Sequence, residues 1–354
     1  ASSVSMSGGV LDADESSTVS GALTHTADIT IDVASGKTLT YTGAPISLGA
    51  NTLTLSGGGS LVSGGLTLNN ASSKLLLNSI TVDNVSTTSD SLGLDVDNDS
   101  TVSSLSVAHI TPVSIASGST LSGAITVTAG SLKLSEAGTL ASTISMSGGV
   151  LDADESLTVS GALSHTADIT IDVADNKTLT YSGAAISLGA NTLTLSGGGS
   201  LVSGGLTLDN ASSKLVLNSI TVDNVSTSHA SLGLDVDNDS TVTSLTVGHT
   251  TPVSIASSKT LSGAITVTAG SIKLDETGTL ASTIAMSGGE LDADNSSTLS
   301  GTLTQSGNIT IDVADNKTLT YSGTAISLGA NTLTLSGGGS LVSGGLTLNN
   351  ADSK

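Results

Sequence analysis

"SLVSGGLTLDNASSKLVLNS", residues 200–219, holds two short runs in which leucines alternate with other residues: Leu206 and Leu208, then Leu215 and Leu217. Strict alternation over so few positions turns one side chain inward and the next outward, as a half-buried strand does. The corner between the runs is built from Asp, Asn, Ala and Ser. The next line, "ITVDNVSTSHASLGLDVDNDS" (220–240), ends on Leu234 and Val236 in the same way. "TLSGAITVTAGSIKLDETG" (260–278) repeats the pattern with Ile265 and Val267, then Ile272 and Leu274. No 3.6-residue period runs through these lines, and their β-branched and Gly residues disfavour helix.

Cut after each polar corner, residues 157–296 fall into seven lines of 21, 22, 20, 21, 19, 19 and 18 residues. A line of about 20 residues with two or three short strands reads as one turn of a solenoid. Each turn would hydrogen-bond to the turns on either side at a spacing of about 4.8 Å. The expected fold is all-β, a right-handed parallel β-solenoid (β-helix). Leu193, Leu195, Leu215, Leu217, Leu234, Val236, Val253, Ile255, Ile272 and Leu274 are expected to point inward. Thr194, Val216, Asp235, Ser254 and Lys273 are expected outside, in one column.

Seven turns make one long repeat of 140 residues. "ISLGANTLTLSGGGSLVSGGLTL" occurs at 46–68, 186–208 and 326–348 without a change. The first two copies differ at roughly 22 of 140 positions, mostly by mild exchanges. The domain reading is one solenoid in three parts: repeat 1 over 1–140, repeat 2 over 141–280, and a partial repeat 3 over 281–354. The physics asks only for a pattern in the identical block, so its letter-for-letter identity reflects recent duplication rather than chemistry. Ala1 and Lys354 both fall inside the repeating pattern. The expectation is a window from a longer protein, continued at both ends by more repeats or by end-to-end stacking of another copy.

Composition agrees with a thin core. The chain has no Phe, Trp, Cys or Arg, and Tyr41, Tyr181 and Tyr321 are its only aromatics. Apolar residues still make up 37% of it, too many for a disordered tract. Stacked Leu, Ile, Val and Ala can fill a narrow column that rings would not fit. The net charge of −21 makes nucleic acid and anionic membranes poor partners. No apolar run approaches the roughly 20 residues of a membrane span, so membrane insertion is not expected.

The lines "GGLTLDNASSKLVLNS", "TLSGAITVTAGSIKLDE" and "NTLTLSGGGSLVSGGLTL" resemble the repeats of bacterial β-solenoid surface proteins. These include filamentous-haemagglutinin-type adhesins, autotransporter passengers and giant repeat-rich cell-surface or filament proteins. The resemblance covers the whole chain and is one of pattern. It implies an extracellular, cell-surface structural stalk or filament that displays or connects something, and it carries over no catalytic residue.

Candidate sites are few. Asp12 and Asp14 in "LDADES", with their equivalents Asp152 and Asp154, and Asp95, Asp97 and Asp99 in "LDVDNDS" place carboxylates on alternate, outward positions. Asp275, Asp292 and Asp294 are expected side by side on neighbouring turns, with Asp312 continuing the column and Lys273 beside Asp292. Like charges so close raise each other's pKa, and calcium, which takes six to eight oxygen ligands, could bridge them within one rod or between rods associated sideways. "DVDNDS" departs from an EF-hand loop, because Ser100 stands where the Gly belongs and no Glu follows. A carbohydrate-active enzyme would use such acids, but no Arg or Trp is present to hold a sugar. His25, His109, His165, His229 and His249 are scattered, and Gln305 replaces His165 in the third copy, which favours surface positions over metal ligands. An adhesin face for glycan or another surface is an alternative to the structural reading. Thr-x-Thr pairs suggest ice binding, but they do not recur at one fixed place in successive lines.

Overall fold

A computed structural model describes residues 3–354. The chain divides into two compact units, Ala1–Gly183 and Ala184–Lys354. Among the described residues there is no helix, and the named strands pair in parallel with the coils before and after them.

In the first unit one sheet runs through Val10–Ala13, Ile29–Val33, Thr52–Ser56, Lys74–Asn78, Gly93–Asn98, Ile110–Ile115, Ser131–Leu134, Val150–Ala153 and Ile169–Val173. Its inward column is Ile29, Leu53, Leu75, Leu94, Val113, Leu134, Ala153 and Val173, each registered on the next and all buried. A second sheet closes the coils from the other side. Some coils enter it as one long strand, such as Ser100–Val107 and Thr120–Val127. Others enter as two short ones, such as Thr139–Leu140 and Thr143–Met146. Burial alternates straight through this split, with Leu140, Ser142, Ile144 and Met146 inward, whereas the long strand Ser100–Val107 places two outer residues, Ser103 and Ser104, between Val102 and Leu105. Sequence separation between neighbouring coils runs from 19 residues (Lys133 to Asp152) to 24 (Asp28 to Thr52). Corner length absorbs the difference while the strands keep their register.

The second unit repeats this plan. Leu193, Leu195, Leu215, Leu217, Leu234, Val236, Val253, Ile255, Ile272 and Leu274 are all buried, as the alternation requires. Thr194, Val216, Asp235 and Ser254 form the expected outer column. Lys273 does not join it. It is registered with Pro252, two residues earlier, because Thr251 is also inward and pairs with Ile272. Ile255 then faces Gly278, where an added Cβ would lie 2.4 Å from its side chain. The coil at 251–255 thus has three inward residues, and aligning lines on their last apolar pair misplaces the next coil by one pleat.

The tyrosines are structural ligaments. Tyr41 is 5% exposed, and its hydroxyl accepts a hydrogen bond from the Leu23 amide at 3.0 Å. Tyr181 does the same for Leu163, and Tyr321 for Leu303. The ring fits because Gly43 and Gly183 follow it; a Cβ there would sit 2.2–2.3 Å from the hydroxyl. At the corners, Gly36 has φ 73°, and its counterparts Asn176 and Asn316 keep the same left-handed conformation. Asn is the side chain that tolerates it best.

Candidate functional site

The outer face of the first sheet carries the acids. Residue 133 in "SLKL" and residue 273 in "SIKL" alternate between two inward residues, so each lysine must stand outside. Lys133 is registered on Asp152 and Lys273 on Asp292. The Lys133 ammonium lies 3.2 Å from Asp152 and 2.7 Å from Asp154. Lys273 lies 3.2 Å from Asp292 and also contacts Asp294. One cation therefore holds two carboxylates of the next coil, in both units. Lys273 stands beside Asp292 and reaches Asp294 as well, because its four-carbon stem spans the pleat to the corner.

Electrostatics follow from this placement. Lys133 and Lys273 have their pKa raised, chiefly by hydrogen bonds to Asp154 and Asp294. Asp152 is also raised, because burial outweighs the help from Lys133. The two directions are compatible, since Asp152 sits deeper than the lysine's other partner, with its side chain 21% exposed against 40% for Asp154. Glu290 is raised by burial first and then by Asp292 and Asp312. It occupies the position held by Val10 and Val150 in the other copies.

The remaining predicted acids have partners of their own. Asp275 belongs to the coil before Asp294 and accepts a 2.7 Å hydrogen bond from the Ser254 hydroxyl. Asp292 is registered on Asp312, which accepts from Ser336 at 2.5 Å. Asp12 and Asp14 are exposed, and Asp12 is registered on Asp32. Asp95 is 2.6 Å from Lys74, Asp97 is exposed at the strand end, and Asp99 accepts from the Thr120 amide at 2.8 Å. Among the described residues no three His, Asp or Glu side chains converge as a metal-binding group. A cation at Asp152 and Asp154, or at Asp292 and Asp294, would have to compete with the lysine already there.

Three features escaped the sequence reading. Asp83 folds back onto the preceding coil, accepting from the Ser63 amide at 2.7 Å and its hydroxyl at 3.0 Å; Asp223 does so with Ser203. The ring of His25 bridges coils, with Nε2 3.1 Å from the Ser47 carbonyl, and Gln305 donates to the Leu328 carbonyl at 3.3 Å from the matching position. The Gln-for-His exchange therefore keeps an inter-coil hydrogen bond, a role that counting histidines could not reveal. Third, hydroxyl-bearing residues of the second sheet, Ser as well as Thr, line up at one place. Ser47, Thr67, Ser86, Ser106, Thr126, Ser145 and Ser164 are registered one on the next. Five of these seven are Ser and two are Thr, so a search for Thr-x-Thr misses the column.

Two shallow polar clefts of about 270 and 300 Å³ occupy equivalent corners, one beside Ser79 and Asp99, the other beside Ser219 and Asp239. Ser79 and Ser219 hold the left-handed conformation there, with φ 56° and 57°. No family model, curated protein or solved structure matches the chain.

Proposed function

We propose that this chain is a structural segment, a stalk or filament spacer, of an extracellular bacterial surface protein, its length set by the number of 140-residue blocks. The observation that supports the reading is how the coils pass through the block joints. Around residue 140, Thr120 is registered on Thr139 and Ala124 on Thr143. Around residue 280, Thr260 is registered on Thr279 and Ala264 on Thr283. The joint is the same pairing as any other coil-to-coil step, so a block can be added or removed without a new interface. Each step buries aliphatic side chains and completes backbone hydrogen bonds, which makes the stack resistant to bending.

The test is to express chains of one, two and three blocks and image them singly by electron microscopy. The reading expects equal increments in particle length and one cooperative β signal in each. An added block that leaves the length unchanged would overturn it. Surface labelling of the intact source cells with antibody tests the extracellular assignment, and labelling that requires lysis would refute it.

A further inference from the structure

The second sheet's outer face differs from the rest of the surface in charge. In the second unit its strands Thr221–Thr227, Ser240–Val247, Thr260–Val267, Thr279–Leu280, Thr283–Met286 and Leu303–Gln305 contain one acid, Asp223, and no lysine. That carboxylate is occupied by Ser203. The charges lie instead on the first sheet and the corners, with Lys214, Asp235, Lys273, Asp292 and Asp312 on the first sheet's outer face. On the neutral face a column of side chains is registered coil on coil: Thr207, Ser226, Thr246, Thr266, Ala285 and Thr304. From Thr246 onward its members are exposed. A second column beside it runs Asn224, Ser244, Ala264 and Thr283.

We propose that this hydroxyl face binds crystalline water, the surface of ice. The inference goes beyond the spacer reading and does not depend on it. A sugar ring would want an aromatic platform, and the three tyrosines of the chain are buried. A second protein copy would want apolar area at the centre of the patch, whereas the exposed members here are Thr and Ala. A charged surface would want charge, which this face lacks. What the face does offer is hydroxyls repeated at the coil spacing of about 4.7–4.9 Å. In a tetrahedral water lattice, two oxygens bonded to a common third at about 2.75 Å are separated by about 4.5 Å. The two spacings differ by about 0.2–0.4 Å per coil, so the hydroxyls of two or three neighbouring coils can meet lattice positions together. The strands fix the backbone, and threonine's branched Cβ restricts its hydroxyl to few rotamers, so little freedom is lost on contact.

The experiment uses the full chain, fluorescently labelled, measuring incorporation into a growing ice hemisphere, ice recrystallisation and thermal hysteresis. Thr246→Lys together with Thr266→Lys places two long cations in the middle of the column. Thr304→Lys, farther along the same column, serves as a second variant should the first fail to fold. Val216→Lys, on the outer face of the first sheet, is the control, and circular dichroism melts check each fold. The wild type and the control should enter ice and slow recrystallisation, while both column variants lose the effect. A wild type excluded from ice, or folded column variants that match it, would overturn the proposal. So would a column variant that abolishes self-association in the ultracentrifuge, or glycan-array binding, when wild-type ice behaviour is nil.

Discussion

The block "ISLGANTLTLSGGGSLVSGGLTL" stands at 46–68, 186–208 and 326–348, and the three copies meet different surroundings. Leu55 and Leu195 are 0% exposed, whereas Leu335 is 51% exposed; Leu68 and Leu208 are 0%, and Leu348 is 69%. The outward valines hardly change, at 45%, 43% and 52% for Val62, Val202 and Val342. In the first two copies a further coil lies on the block, with Lys74–Leu77 registered on Thr52–Leu55 and Lys214–Asn218 on Thr192–Ser196. In the third, Leu333–Ser336 is registered on Ile309–Asp312 beneath it, and onward the described residues give it Lys354, whose carbonyl accepts from the Leu333 amide at 2.8 Å. The direction of each side chain is thus local, while its burial is supplied by the next coil.

The sharpest way to break this comparison is to truncate equivalent leucines. Leu195→Ala should cost about 2–5 kcal/mol, since it leaves a cavity in a column that neighbours cannot refill. In the 354-residue chain by itself, where no full coil follows, Leu335→Ala should cost less, within about 0.5 kcal/mol. Thermal and denaturant melts of the two variants decide it, and equal losses would show that the block's stability is intrinsic.

Tyr321→Phe comes next. Tyr321 is 3% exposed although it belongs to the third copy, because its ring lies within a covered coil. Its hydroxyl accepts from the Leu303 amide at 3.1 Å and donates to the Thr324 carbonyl at 2.6 Å. Removing it leaves a buried amide without its partner, a loss of about 1–3 kcal/mol. Hydrogen exchange at Leu303 should accelerate, and unchanged exchange would remove the ligament role.

A smaller effect is expected at the lysine clamps, where the neighbouring coil supplies charge rather than apolar cover. Lys133 holds both Asp152 and Asp154, and Lys133→Met removes that cation. These groups are partly exposed, so the loss should be at most about 1 kcal/mol. The melting temperature should fall most at low salt, and the deficit should vanish once acid protonates the carboxylates.

The smallest change is Glu290→Val, which restores the residue of the other copies. Glu290 has a folded pKa above its ordinary value of 4.5. A raised carboxyl pKa means that its ionised form is disfavoured in the fold, so its contribution is best below the unfolded pKa and worsens as pH rises through the folded one. The variant should therefore melt slightly higher than wild type at neutral pH, and the gain should shrink below about pH 4 as the carboxyl becomes neutral. A gain independent of pH would assign the effect to β-propensity instead.

Much of this was legible in the chain because alternation has a period of two and leaves no choice of face. The inward leucines of 193–274 and the pairing of Lys273 with Asp292 could be read from spacing alone. The pairing of Lys273 with Pro252 could not, because Thr251 reads as polar while the fold buries it with its hydroxyl donating to the His249 carbonyl at 2.9 Å. Asp83 and Asp223 were equally hidden, since nothing in "TVDNVS" says that the carboxylate turns back onto a serine of the preceding coil.

The sequence by itself determined the strand type, the coil length and which side chains face in, since these depend on residues within a few positions of each other. Only the tertiary structure decided which coil positions become neighbours, and hence which lysine meets which acids, which hydroxyls line up, and which leucines are covered. Corner lengths vary between coils, and a single pleat of slip changes every partner along a strand. The register is settled by the packing of Ile255 on Gly278 and Thr251 on Ile272, contacts between residues about one coil apart.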